Sequence, residues 1–310
     1  MLKLHLVINR RARHLREGCR SHAALIAAAS GFTVHETRTL EALDDAAARI
    51  AGAGADAVVL AGGDGTTMAG LTALTKAFAG SPPAIAITPF GTVNTVARNW
   101  DFRGAREPYA ARLLAAARAG SASRVMRPTL RIEDDRGGER SGFIFGAGLV
   151  ARFFEAYYDA PTQGTAAAAR LVSRIFAGSL TGGSLSARVL APARCKLTVD
   201  GATQPASAYS LVVASVLPNL GLGMRVTYRG GERAGAMHLV ASALGPAALG
   251  PQLPLVLLGR RLLGDHHVDA LAAQFALRFD RDDAYVLDGE LLAAREVRVT
   301  AGPDVAVLRA

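Results

Sequence analysis

Ala57-Val58-Val59-Leu60-Ala61 followed by Gly62-Gly63-Asp64-Gly65-Thr66 is an apolar run, a glycine-rich turn and the start of a helical stretch. The run is short and unbroken by polar residues, as in a strand buried on both faces of a parallel sheet. Thr66 to Phe78 continues as a predicted helix with Leu71, Leu74 and Phe78 on one stripe. Glycines let the turn bend sharply and approach a ligand without a Cβ clash. The helix that follows directs unpaired N–H groups and a partial positive charge at the turn, so phosphate is the natural guest. Asp64 is out of place beside phosphate unless a cation lies between them or its carboxylate takes a proton from an attacking hydroxyl. As plain architecture, the same turn would use Asp64 as a helix cap.

The same grammar repeats on either side. Leu4 to Ile8 is an apolar run ending at Asn9, with a helix predicted from about His14 to Ala29. Phe32 to Thr37 reads as a strand, Leu40 to Ala51 as a helix, and Ala84 to Thr88 as a further short strand. Such alternation predicts a parallel sheet flanked by helices. Pro89-Phe90-Gly91-Thr92-Val93-Asn94 then places a second turn at a strand end, where Thr92 and Asn94 offer a hydroxyl and an amide to phosphate or ribose.

From about Ser123 the pattern changes. Strands are predicted over Arg124–Glu133, Gly142–Gly146, Cys195–Val199, Ser210–Ser215, Met237–Ala241, Ala276–Asp280 and Val297–Ala301. Turns such as Asp134 to Gly138 and Asp200-Gly201 separate them, which indicates a mostly antiparallel, β-rich second domain. Helices are expected near 166–176 and 253–263. Asp288-Gly289-Glu290 follows the strand-like 284–287 and has the form of a two-residue hairpin turn.

Bulk properties narrow the classes. The 310 residues are half hydrophobic and one-fifth charged, enough for two cores and against global disorder. The net charge of +9 favours anionic partners, and Arg10, Arg11, Arg13, Arg16 and Arg20 crowd the first connection. No basic stretch is interleaved with aromatics, so nucleic acid is not an expected partner. Cys19 and Cys195 form neither a disulfide framework nor a metal cluster, which fits a reducing cytoplasm. The longest apolar stretch, Leu253 to Leu263, is interrupted by Arg260 and Arg261 and is too short to span a bilayer.

The glycine loop, the Pro-Phe-Gly-Thr-Val-Asn string and the late Asp-Gly-Glu, in that order, resemble the diacylglycerol kinase catalytic-domain family, which includes bacterial lipid kinases and sphingosine kinases. The loop alone is shared with NAD kinases and phosphofructokinases. The resemblance implies a nucleotide-binding α/β domain over residues 1–122 and a β-rich lipid-substrate domain over 123–301, with 302–310 free to return to the first. It implies a cleft between them, ATP and Mg²⁺ as cofactors, and a lipid acceptor met at the inner face of the membrane. A homodimer is left open. Asn9, Thr37, Gly62, Gly63, Gly65, Thr66, Thr92 and Asn94 fall at nucleotide-binding positions, and Arg13 adds a basic group beside Asn9. Glu290 matches the proton acceptor, with Asp288 in the same string. Asp64 matches the carboxylate tied to Mg²⁺ and catalysis, and the choice of base between Asp64 and Glu290 stays open.

The sequence also departs from the family. Arg10-Arg11-Ala12-Arg13 stands where the family has a Pro leading to Gly, Met68-Ala69 where it has Asn-Glu, and Thr95 where it has Asp. Arg233-Ala234-Gly235 replaces an Asp-Asp-Gly turn, so no structural ion is expected there. These losses keep two alternatives in view: a degenerate nucleotide-binding regulator, and an NAD kinase-like phosphotransferase.

Overall fold

Apolar runs with no polar alternation become the strands of a parallel sheet. The computed structural model describes every residue except Met1, Asp101, Gln163 and His266. It divides into two units, residues 1–129 with 303–310, and residues 130–302.

In the first unit β1 (Leu4–Asn9), α1 (Arg20–Ala28), β2 (Thr33–Thr37), α2 (Leu40–Ala53), β3 (Ala57–Gly62), α3 (Asp64–Ala77), β4 (Ala84–Pro89), α4 (Thr95–Asn99), α5 (Arg106–Ala119) and β5 (Ser123–Arg127) follow in order. The predicted strand over 124–133 is in fact two. Pro128 and Thr129 separate β5, which belongs to the first sheet, from β6 (Leu130–Asp134), which belongs to the second. Proline has no N–H to give a ladder, so the strand cannot run through it. The helix expected from His14 starts only at Arg20, because Gly18 adopts φ +77° and breaks the turn before it. α5 carries no signal that the sequence pattern registered.

The first sheet has the order β2-β1-β3-β4-β17-β5, where β17 (Val305–Arg309) is the returning C-terminal segment. β2, β1, β3, β4 and β17 run parallel, and β5 is antiparallel to β17. Leu4, Leu6, Ile8, Ala57, Val59, Ala61, Ala84 and Ala86 bury one face against Leu25 of α1 and Leu113 and Leu114 of α5. The intervening residues project to the opposite face, as the two-residue period of a strand requires. There Gly70 of α3 lies so close to Leu60 that an added Cβ would stand 2.8 Å from a leucine methyl. Helices therefore cover both faces, and the strand ends are left as the accessible edge.

The second unit is antiparallel throughout. It comprises β6, β7 (Glu139–Gly142), β8 (Ile144–Gly148), α6 (Leu149–Tyr158), α7 (Thr165–Thr181), α8 (Ser184–Val189), β9 (Ala193–Val199), β10 (Ala202–Thr203), β11 (Ala208–Tyr209), β12 (Leu211–Ser215) and β13 (Met237–Ser242). Two short helices, α9 (Pro246–Leu249) and α10 (Leu253–Leu257), are joined by a 3₁₀ turn, and β14 (His267–Ala272), β15 (Gln274–Leu287) and β16 (Glu290–Ala301) follow. The sheet runs β14-β13-β12-β8-β15-β16-β6-β7, and β9 pairs with the first half of β15. The helix expected over 253–263 stops at Leu257, because Gly259 takes φ +64°. α6, unassigned in the sequence reading, packs on β8 and β15.

Candidate active site

The strand order 2-1-3-4 makes the connections leave β1 and β3 in opposite directions. The crevice at the carboxyl ends of β1 and β3 is therefore the topological switch point, where open α/β sheets bind ligands. Asn9 ends β1 and pairs in register with Thr37 at the end of β2. Gly62 ends β3 opposite Pro89 of β4. The nucleotide positions of the sequence reading thus share one edge of one sheet.

Across the switch point, Asn9 Nδ2 donates to Thr66 Oγ1 at 2.7 Å, and Asn9 Oδ1 accepts the Arg11 N–H at 2.9 Å. Thr66 Oγ1 also accepts the Gly63 N–H at 3.3 Å. With both acceptor sites of that oxygen engaged by protein donors, the Thr66 hydroxyl hydrogen is directed elsewhere and can donate to a ligand oxygen. α3 begins at Asp64, so the N–H groups of Asp64, Gly65 and Thr66 have no carbonyl one turn earlier within the helix. That is the chemistry of an anion cradle.

The glycines serve a purpose beyond ligand approach. A Cβ on Gly91 would lie 2.4 Å from Gly63 Cα, and one on Gly62 would lie 2.3 Å from Thr66 Oγ1. The two turns pack backbone to backbone, and the Phe90 N–H donates to the Gly62 carbonyl at 2.7 Å.

Asp64 is engaged within the protein as a helix cap, on the neighbouring turn and not on its own helix. Its Oδ2 accepts the Thr95 N–H at 2.8 Å and its Oδ1 the Val96 N–H at 3.0 Å, so it caps α4 from the neighbouring turn. Burial raises its pKa, opposed by these two N–H groups, by the Thr95 hydroxyl and by the charge of Arg98. Thr95, a departure from the family pattern, is thereby a donor to Asp64, where a second carboxylate would repel it. One carboxylate at the loop fits a cation that arrives with a polyphosphate and keeps most of its water, not a resident one. Among the described residues no group of three or more His, Cys, Asp or Glu could hold a metal ion.

Asn94 is likewise engaged within its own turn. It is 2% exposed, sits at φ +56°, and closes its own turn: Oδ1 accepts the Gly91 N–H at 2.9 Å and Nδ2 donates to the Gly91 carbonyl at 3.1 Å. Its amide shapes the turn. Thr37 is buried too, its hydroxyl 3.4 Å from the Ile8 carbonyl. Thr92 and Arg13 are exposed. Arg10 points away from the loop to Glu36, at 3.2 Å, and to His22.

In the second unit the Asp288-Gly289-Glu290 string forms the β15–β16 hairpin. Asp288 at φ +48° and Gly289 at φ +90° give the left-handed pair that a two-residue turn requires. The buried Asp288 carboxylate accepts the Ile144 N–H at 2.8 Å and the Phe143 N–H at 3.0 Å. Asp200 does the same at the β9–β10 turn: φ +46°, followed by Gly201 at +86°, with its carboxylate accepting the Ala273 and Gln274 N–H groups at 3.0 and 2.9 Å. The same device at two turns gives Asp288 an anchoring role in the hairpin that carries Glu290. Gly142 gives way to it, since a Cβ there would lie 2.7 Å from Asp288 Oδ2.

Glu290 itself is exposed. Tyr158 of α6 donates to the Gly289 carbonyl at 2.6 Å, and its pKa is pushed up to about 12 by burial, then by the charge of Glu290 and by Tyr157. Phe153, Phe154, Tyr157 and Tyr158 form a ring cluster on α6, and Phe154 lies 3.8 Å from where a Gly289 Cβ would stand. The i, i+4 spacing of Phe154 and Tyr158 is the sequence signal that places both rings on one face of α6. Phe143 and Phe145 are wholly buried core. At the position of the family's ion-binding turn, Arg233 donates to the Leu271 carbonyl at 2.8 Å.

Residues 3–126 match the family model described as the diacylglycerol kinase catalytic domain. No curated protein matches the chain. Three solved proteins assigned as diacylglycerol kinases, all from Bacillus anthracis str. Sterne, share the fold. The first has 15% identity and a TM-score of 0.65, covering 99% of this chain and 97% of its own. The second has 16% and 0.68, covering 99% and 96%, and the third 18% and 0.65, covering 99% and 98%. The segment that builds the glycine loop and its partner turns is thus the part of the chain that is similar to the diacylglycerol kinase catalytic domain family.

Proposed function

We propose that this chain is a lipid kinase that transfers the γ-phosphoryl group of ATP to a lipid hydroxyl. The observation that carries the reading is the switch-point edge, where Asn9, the Gly62–Thr66 turn and the Gly91–Asn94 turn are locked together at the start of a fourteen-residue helix.

In this reading the first-turn N–H groups of α3 and the Thr66 hydroxyl bind the polyphosphate, and the exposed Thr92 and Arg13 add contacts. Asp64, the carboxylate of the loop, would meet a nucleotide-bound Mg²⁺, which would offset charge on the phosphoryl oxygens. Asp64 and Asn94 hold the two turns in register. Glu290, exposed where β16 begins, is the proton acceptor for the attacking hydroxyl, because the carboxylate of Asp64 is already committed to two N–H groups. Tyr158 and Asp288 fix the hairpin that presents it. The partly exposed rings of α6 offer an apolar surface beside Glu290 for an acyl chain.

Incubation with γ-labelled ATP, Mg²⁺ and a total lipid extract tests this, with the labelled product identified by mass. Label in a phospholipid supports the proposal. Tight nucleotide binding without transfer to any lipid favours the regulatory alternative, and transfer to NAD instead would replace the acceptor class.

A further inference from the structure

Between Arg233 and Asp265 the chain contains no acidic residue, and Leu253 to Leu263 reads Leu-Pro-Leu-Val-Leu-Leu-Gly-Arg-Arg-Leu-Leu. This segment is fixed from within. Leu249 and Leu262 enter a buried cluster with Ile175, Val189, Leu190 and Val240. Gly259 at φ +64° reverses the chain, and the Arg260 N–H donates to the Leu255 carbonyl at 2.9 Å. Gln252 then clamps the far end: its Oε1 accepts the Leu263 N–H at 2.7 Å and its Nε2 donates to the Leu263 carbonyl at 2.9 Å.

On that pinned backbone the outward leucines face water. Leu257 is 44% exposed, Leu258 62% and Leu263 67%. Arg260 and Arg261 stand between them, both exposed, and Arg225 packs against Gly259. Arg261 is 4.0 Å from Asp269, whereas Arg260 is exposed beside the leucines. Three exposed leucines held in place, with Arg225, Arg260 and Arg261 around them against Asp265 and Asp269 at one edge, suit a partner that is apolar beneath and anionic at its surface. A bilayer rich in anionic lipid has both properties in that order. A second copy of the chain docked leucine to leucine about a two-fold axis would bring Arg260 and Arg261 against their own equivalents, which like-charge repulsion opposes.

We propose that the Leu257–Leu263 turn is a membrane-docking element. Leu257, Leu258 and Leu263 enter the headgroup–acyl boundary, and Arg260 binds lipid phosphate. The proposal rests on the reading of the acceptor as a lipid, for which the turn supplies the contact with the surface where that lipid resides.

Co-sedimentation with phosphatidylglycerol–phosphatidylcholine vesicles, without nucleotide, tests it separately from phosphoryl transfer. The wild-type chain should sediment with these vesicles, less so as salt rises, and much less with phosphatidylcholine alone. Leu258→Ser with Leu263→Ser should weaken partitioning on the order of tenfold or more. Arg260→Ala should weaken it roughly fivefold on anionic vesicles only. Because these side chains are exposed, the variants should keep the wild-type melting temperature and their transfer to a dispersed short-chain acceptor. Wild-type protein that ignores anionic vesicles, or variants that bind them as well as wild type, would overturn the proposal. So would a solution dimer abolished by the double leucine substitution, which would assign the patch to a second copy.

Discussion

Removing the Asp64 carboxylate separates its structural role from a chemical one. In Asp64→Ala the Thr95 and Val96 N–H groups lose their acceptors at 2.8 and 3.0 Å. Both residues are buried, so water cannot fully replace the carboxylate. Each orphaned N–H costs about 1–3 kcal/mol, which places the total at about 2–6 kcal/mol. For a unit of this size that is a fall in melting temperature on the order of 5–15 °C. The pH dependence has a definite sign. Burial raises the Asp64 pKa, so the folded chain holds this proton more tightly than the unfolded one. Its contribution is full below the ordinary aspartate value of 3.8 and is lost as pH rises through the folded value, so the gap to Asp64→Ala narrows over that interval. Differential scanning calorimetry and nucleotide binding by titration calorimetry are the assays. A variant that melts like wild type and binds nucleotide equally well, yet transfers no phosphoryl group, would refute the structural assignment and return Asp64 to the chemistry.

Glu290→Gln should lower turnover about a hundredfold or more with the melting temperature nearly unchanged, because the side chain is exposed; undiminished turnover would remove it as proton acceptor. Asp288→Ala leaves the Phe143 and Ile144 N–H groups without that carboxylate and should cost about 2–4 kcal/mol in chemical denaturation; a loss of activity with no loss of stability would contradict the anchor role. Burial works to raise the Asp134 pKa, but the Gly138 N–H, the Tyr285 hydroxyl and Arg140 outweigh it and hold the pKa below 3.8. The stabilisation from Asp134 is therefore full above 3.8 and lost as pH falls through the depressed value, so denaturation midpoints of Asp134→Asn and wild type should converge only in acid.

Much of the first unit was legible in the sequence, because strands buried on both faces have no polar alternation to confuse them. β1, β3 and β4 and the turns after them fall where the apolar runs end. The failures have local causes. Pro128 divided one predicted strand between two sheets, and Gly18 and Gly259 shortened two helices through positive φ. α5 was invisible because alanine and arginine spread around it without a sharp apolar stripe, although Ala110, Leu113, Leu114 and Ala117 are all buried. Tertiary hydrogen bonds were beyond reach: nothing in the string Asp64-Gly65-Thr66 announces that its carboxylate will cap a helix thirty-one residues away.

Residue type draws attention to side chains whose hydrogen bonds it does not foretell. Asp64, Asn94 and Asp288 have the side chains a reader assigns to chemistry, and each spends its polar atoms on backbone groups at a turn. The cause is shared. A turn tight enough to present amides to a ligand leaves its own backbone polar groups short of partners, and a buried unpaired group costs about as much as a lost hydrogen bond. Short carboxylates and amides are the side chains that reach such groups. The atoms left for a ligand are the ones the turns do not consume: the first-turn N–H groups of α3, the Thr66 hydroxyl hydrogen, and the exposed side chains of Thr92 and Glu290. Substituting the first set should change stability and binding together, whereas substituting the second should change binding or turnover on a fold that melts as before.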